Sequence, residues 1–260
     1  MTMAESTPPA PNRWGPLWPL GEAVRFLTAI PVPGLPPMSE RSIAGAIPCF
    51  PLVGLLIGGV LVATGSAAGA LWGDGVRAVA VVVAWAVLTA GLHLDGLADT
   101  FDGILSWRSR ERKLEIMRDS RIGTMGALAL ITVIALKIAL LAQPHPDWWL
   151  ALLLAPAVGR WADLWSIVRF PAAQQGGLGR NFRDHVGVPA LVFATSCAVV
   201  AAALAGPLGL GALAAAWLLT EWLGRRWVAE LGGLTGDTYG ALCELTEVVV
   251  LAVMLVSLSR

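Results

Sequence analysis

Asp95, Asp99 and Asp102 stand at i, i+4 and i+7 in the stretch GLHLDGLADTFDG. On a helix turning 100° per residue they fall within about 60° of one another. Three bare carboxylates on one stripe repel, and at the edge of an apolar run each also loses hydration. A cation relieves both costs, and magnesium takes oxygen ligands of this kind. The three are candidate magnesium ligands. Glu115 and Asp119 follow at i, i+4 in LEIMRDSRIG, a second acidic pair within reach of the first. Arg118 and Arg121 flank Asp119. Carboxylate-held metal beside arginines binds a pyrophosphate and stabilises charge developing on phosphorus, so the chemistry these residues point to is phosphoryl transfer.

Other residues extend this set. The dipeptide Asp-Gly occurs at 95–96 and again at 102–103, which places Gly96 and Gly103 in a small-residue stripe beside the acids. Either a bulky ligand or another helix can approach closely there. His93 lies about 200° from Asp95 on the same helix, so it is either a structural histidine or a group behind the acid face. Arg160 and Asp163, at i, i+3 in an apolar run, face a bundle interior, as a mutual pair or as part of a site. In GGLTGDTYGALCELTE, residues 232–247, Asp237 and Glu244 share one helical face, with Glu247 three residues on. The glycine-rich entry suits a phosphate or nucleotide. Thr235, Asp237, Glu244 and Arg160 join Arg118 and Arg121 as candidate substrate contacts. The stretch GGLGRNFRDHVG, 176–187, reads as a basic flap.

The elements that must position these residues are apolar. The chain has 260 residues, 56% hydrophobic and 14% charged. A soluble domain carries roughly 25% charged residues, so the composition points to an all-α polytopic membrane protein. Seven spans are predicted, at about 47–71, 77–97, 122–141, 149–168, 188–205, 208–224 and 242–258, with six or eight also compatible. Residues 1–21 read as a polar, proline-rich tail without the pattern of a cleavable signal, and 22–260 as one membrane-embedded helical domain. In a seven-span layout most of the 18 lysines and arginines fall on one side, with the N-terminus and the acid stripe. The positive-inside rule makes that side the cytoplasm. Net charge is zero, which argues against a nucleic-acid partner. Cys49, Cys197 and Cys243 have no metal-ligand spacing and read as small apolar side chains. Seven tryptophans, Trp227 among them, fall near span ends, as an interfacial belt does. Small-residue stripes leave homo-oligomers open. A cation transporter stays in view as a different class, although transporters favour acids near the midplane.

Three stretches, GLHLDGLADTFDG, LEIMRDSRIGTMG and GGLTGDTYGALCE, resemble the cobalamin synthase family of adenosylcobinamide-GDP ribazoletransferases. RFLTAIPVP and FPLVGLLIG are similar too, so the likeness runs from about residue 22 to near the end. The resemblance implies an integral enzyme of the bacterial inner membrane, open to the cytoplasm and dependent on Mg2+. It implies that adenosylcobinamide-GDP is joined to α-ribazole, or to its 5′-phosphate, with release of GMP. Asp95, Asp99 and Asp102 carry over as metal ligands. A ribose hydroxyl would attack phosphorus, and Asp119 or Glu115 would take its proton. A second likeness is to CDP-alcohol phosphotransferases, whose acidic run begins as DTFDG does here. Ser106 and Trp107 replace the Ala-Arg of that pattern, and the spacing to the second acidic pair is shorter.

Overall fold

The computed structural model describes residues 14–173 and 186–256. Residues 1–13 of the expected tail and 176–185 of the basic flap, with Arg180 and Arg183, lie outside the described residues. The described residues contain helices and no strand; one isolated bridge pairs Ala172 with Leu234. The all-α expectation holds.

Two short helices open the chain, α1 (Trp18–Leu27) and α2 (Glu40–Ala46). Helix α1 stops at Thr28, before Pro31 and Pro33, and buries Glu22 against the Arg25 guanidinium. Helix α3 spans Phe50–Leu88, but Gly73 takes φ 80° and ψ −179°, a geometry glycine adopts at little steric cost. The chain folds back there: a Cβ on Gly65 would stand 3.0 Å from Val81, and one on Gly69 would stand 3.3 Å from Arg77. Helix α3 is therefore a hairpin, and its arms are the first two expected spans.

The second arm ends at Leu88, nine residues before the expected boundary of 97. Ala90 and Gly91 both have positive φ, and this tight turn starts a separate short helix, α4 (Leu92–Ile104). The acid stripe thus belongs to its own 13-residue helix at the end of a span. Helix α5 (Arg110–Ile116) follows, then α6 (Thr124–Leu141), α7 (Trp148–Arg169), α8 (Val188–Leu204), α9 (Gly206–Leu231) and α10 (Gly236–Met254). The stretches Glu40–Leu88, Thr124–Leu141 and Trp148–Arg169 are long and apolar enough to cross a membrane, and Val188–Leu204 is a shorter apolar helix. The two arms of α3 and helices α6–α10 correspond in order to the seven expected spans.

Helix α10 begins at Gly236, six residues before the expected span, because Thr235 and Thr238 form a reciprocal capping box. Helix α9 continues to Leu231, which carries Trp227 into the interior at 3% exposure rather than to an interfacial belt. The bundle closes around α7, which packs on α3 and α10. Gly54 and Gly58 permit the α3 approach: a Cβ on Gly54 would stand 2.4 Å from Ala157 Cα. Opposite Gly58 lies the Leu152 carbonyl, which Pro156 cannot bond within the helix. Helix α10 also packs on α4, α6 and α9, and so links the acid stripe to the middle of the bundle.

Candidate active site

Two glycines bring the acids of α4 to the start of α10. A Cβ on Gly96 would stand 2.8 Å from the Asp237 carbonyl, and one on Gly240 would stand 3.2 Å from His93 Cα. The helices meet backbone to backbone, and Asp237 comes beside Asp95 and Asp99. The smallness of Gly96 serves this crossing. Gly103 serves another, because its Cβ would run into Met117 and the Lys113 carbonyl of the next segment.

Among the described residues, neither Asp95 nor Asp99 has a side-chain hydrogen bond or ion pair. Partial burial, then the charges of Asp95, Asp237 and Asp102, push Asp99 up to about 7. Hard oxygen donors with uncompensated negative charge are a set a magnesium ion fits. Asp102 is placed differently. Its oxygens accept the backbone N–H groups of Gly123 at 2.7 Å and Gly126 at 2.8 Å. Those amides are the unpaired donors at the start of α6, so Asp102 caps that helix from a neighbouring one.

Asp119 and Arg121 form an exposed bidentate pair, with Nε–Oδ1 at 3.0 Å and Nη2–Oδ2 at 2.6 Å. Hydrogen bonds from Arg121 hold Asp119 at about 2, so in this arrangement it is a weak base. Glu115 sits on the outer surface of α5, paired with Arg112 at 2.7 Å. Arg118 lies within electrostatic reach of Asp237. Thr235 Oγ1 accepts from the Thr238 amide and stands 3.3 Å from Asp237 Oδ2.

The remaining candidates meet in the bundle interior. Arg160 is fully buried; one guanidinium nitrogen bonds Glu247, and Nη2 is 3.1 Å from His93 Nδ1. Glu244 and Glu247 both bind Lys137, whose Nζ is 2.7 Å from Glu244 Oε2 and lies 4.1 Å from the centre of the Trp85 ring. His93, Asp163 and Cys243 hold their ligand atoms within 4.8 Å of one another. The Arg160 guanidinium beside them already supplies positive charge, so this cluster is a buried ion-pair network, with Glu244 part of it. Sequence reasoning missed Lys137, a lone cation in an apolar run whose partners lie more than 100 residues away.

Two cavities adjoin the acids and share Phe26, Leu92 and Asp95. The larger, about 690 Å³, runs past Asp95, Asp99, Ser120 and Arg25. Arg25 is a second residue missed as a site element; it lies within RFLTAIPVP, and nothing in its spacing tied it to the acids. The smaller cavity, about 180 Å³, lies between α4, α7 and α10.

The model of the cobalamin-5-phosphate synthase family matches residues 20–255. Adenosylcobinamide-GDP ribazoletransferase of Roseiflexus sp. (strain RS-1) is 61% identical over 95% of this chain and 92% of its own. The protein of the same name from Herpetosiphon aurantiacus is 49% identical over 90% of this chain and 95% of its own. The one from Acetivibrio thermocellus is 41% identical over 86% and 92%. No solved structure matches the chain.

Proposed function

The chain belongs to the cobalamin-5-phosphate synthase family, and from that premise we infer that it is an adenosylcobinamide-GDP ribazoletransferase. It joins the cobinamide phosphate to α-ribazole, or to the 5′-phosphate of α-ribazole, and releases GMP. The observation that supports this site is the pair of unpartnered carboxylates, Asp95 and Asp99, on the wall of a cavity of about 690 Å³. A cavity of that size suits the nucleotide end of the donor, with the corrin outside it.

Asp95 and Asp99, with Asp237 beside them, would hold Mg2+. The bound ion would neutralise pyrophosphate oxygens and the departing GMP. Arg121 would exchange the Asp119 carboxylate for the donor's phosphate oxygens, which it can grip in the same bidentate way. That exchange frees Asp119 from the contact that holds it at about 2 and makes it a better acceptor for the proton of the attacking ribose hydroxyl. Arg118 would balance charge near Asp237 and the phosphates. Glu115 is left to its surface pair. The site shares its end of the bundle with most of the basic residues, and that supports a position at the cytoplasmic face of the inner membrane.

The experiment is GMP release by the purified protein given adenosylcobinamide-GDP, α-ribazole and magnesium, with Asp99→Asn beside the wild type. The wild type should release GMP only with the metal, and the variant should be slower by about 100-fold or more. Consumption of a CDP-linked alcohol substrate instead would move the chain to the second family likeness. If neither substrate is consumed, the transferase reading fails.

A further inference from the structure

The smaller cavity has a chemistry of its own. Phe26, Phe50 and Ile167 give it an apolar wall, while Asp95 and Asp237 stand on it beside the acid site. Asp163 is 4% exposed and also lines it. An arginine can only donate, so Arg160 occupies the lone pair of His93 Nδ1 and leaves the ring proton on Nε2. Nε2 faces Asp163 Oδ2 at 3.4 Å. The other oxygen, Oδ1, is buried and has no hydrogen-bond partner. A buried polar atom left unpaired costs stability, and because Asp163 lines the cavity, a small rotation of its carboxylate lets what fills the cavity satisfy that oxygen.

Resting on the transferase reading above, we propose that this cavity seats the base of the acceptor nucleoside, with Asp163 bonded to the base's free ring nitrogen. A benzimidazole nucleoside offers a flat apolar two-ring system with one unsubstituted nitrogen. Carboxyl oxygen and ring nitrogen share a single proton, whichever of them carries it. An apolar cavity of about 150 Å³ takes a benzene-sized ring; this one, about 180 Å³, takes the first ring of the base, leaves the second to reach its open side, and excludes a corrin. With the base seated there, the ribose emerges at Asp95 and Asp237, between the two cavities. Donor and acceptor then meet at Asp95, where the two cavities adjoin.

The test is equilibrium dialysis of the full chain in detergent against α-ribazole alone, and against the isosteric riboside whose base carries C–H in place of the free ring nitrogen. The wild type should bind the analogue about 10- to 100-fold more weakly. Asp163→Leu should bind both equally weakly, while Asp163→Asn recovers much of the affinity for α-ribazole, because an amide can donate to the same nitrogen. Ile167→Phe, which fills the cavity, should weaken both ligands and leave KM for adenosylcobinamide-GDP unchanged. Equal wild-type affinity for nucleoside and analogue overturns the proposal, as does a rise in donor KM with Ile167→Phe. Dialysis reads the subsite and GMP release reads the reaction, so either can fail without the other.

Discussion

At the scale of single residues, Asp99 is the most informative group. Its pKa is raised to about 7 by burial and three neighbouring carboxylates. A carboxyl higher in the folded than in the unfolded chain keeps a proton that the unfolded chain has released. Its contribution to stability is therefore complete below about pH 4 and is lost as pH rises through about 7. In metal-free protein the melting temperature should fall across that window, and Asp99→Asn should flatten the slope. Magnesium should restore stability most at pH 8, where the carboxylate is charged, and least at pH 5. A melting temperature independent of metal at pH 8 would count against the cation site. Asp119 shows the opposite case: the same residue type, in the connection between α5 and α6, is held at about 2 because an arginine faces it.

At the scale of elements, Asp102 joins α4 to α6 through two amides of the α6 N-terminus. Asp102→Ala should lower stability by about 1–2 kcal/mol, the range for losing an N-cap, with little change in magnesium affinity. A large loss of magnesium affinity with unchanged melting would return Asp102 to the metal. Gly96→Val should be as costly, because its Cβ meets the Asp237 carbonyl at 2.8 Å and must push α10 away. About 1–3 kcal/mol of stability and most of the activity should go together, measured by thermal melting and GMP release. Periodicity made the helices and the acid stripe legible, because both repeat within a few residues. What it could not carry was long-range pairing. The partner of Asp102 is more than 20 residues away, and nothing in α4 distinguishes a carboxylate that caps a helix from one that holds an ion. Boundaries also moved where local chemistry overrode hydropathy, at the positive-φ turn of Ala90 and Gly91 and at the Thr235 capping box.

At the scale of the molecule, a seven-pass layout puts α4, α5 and the α9–α10 turn at one end. In a variant with Cys49, Cys197 and Cys243 replaced, a cysteine at Trp107, 93% exposed, should react with an impermeant maleimide only in inverted vesicles. One at Leu204, 81% exposed at the far end of α8, should react only in spheroplasts. The reverse pattern would turn the whole assignment over.

The network of Lys137, Arg160, Glu244 and Glu247 also has a history in time. Its cations belong to α6 and α7, and its carboxylates belong to α10, which leaves the ribosome after both. While synthesis proceeds, Lys137 waits with a charge that its two carboxylate partners do not yet neutralise, a state that costs several kcal/mol in hydrocarbon. Helix α10 closes the account of charge and brings Asp237 to the acids of α4 in the same movement, since Asp237 travels with Glu244 and Glu247. Without α10, Lys137 therefore has neither of its two carboxylate partners, and Arg160 keeps only the carboxylate of Asp163 on its own helix.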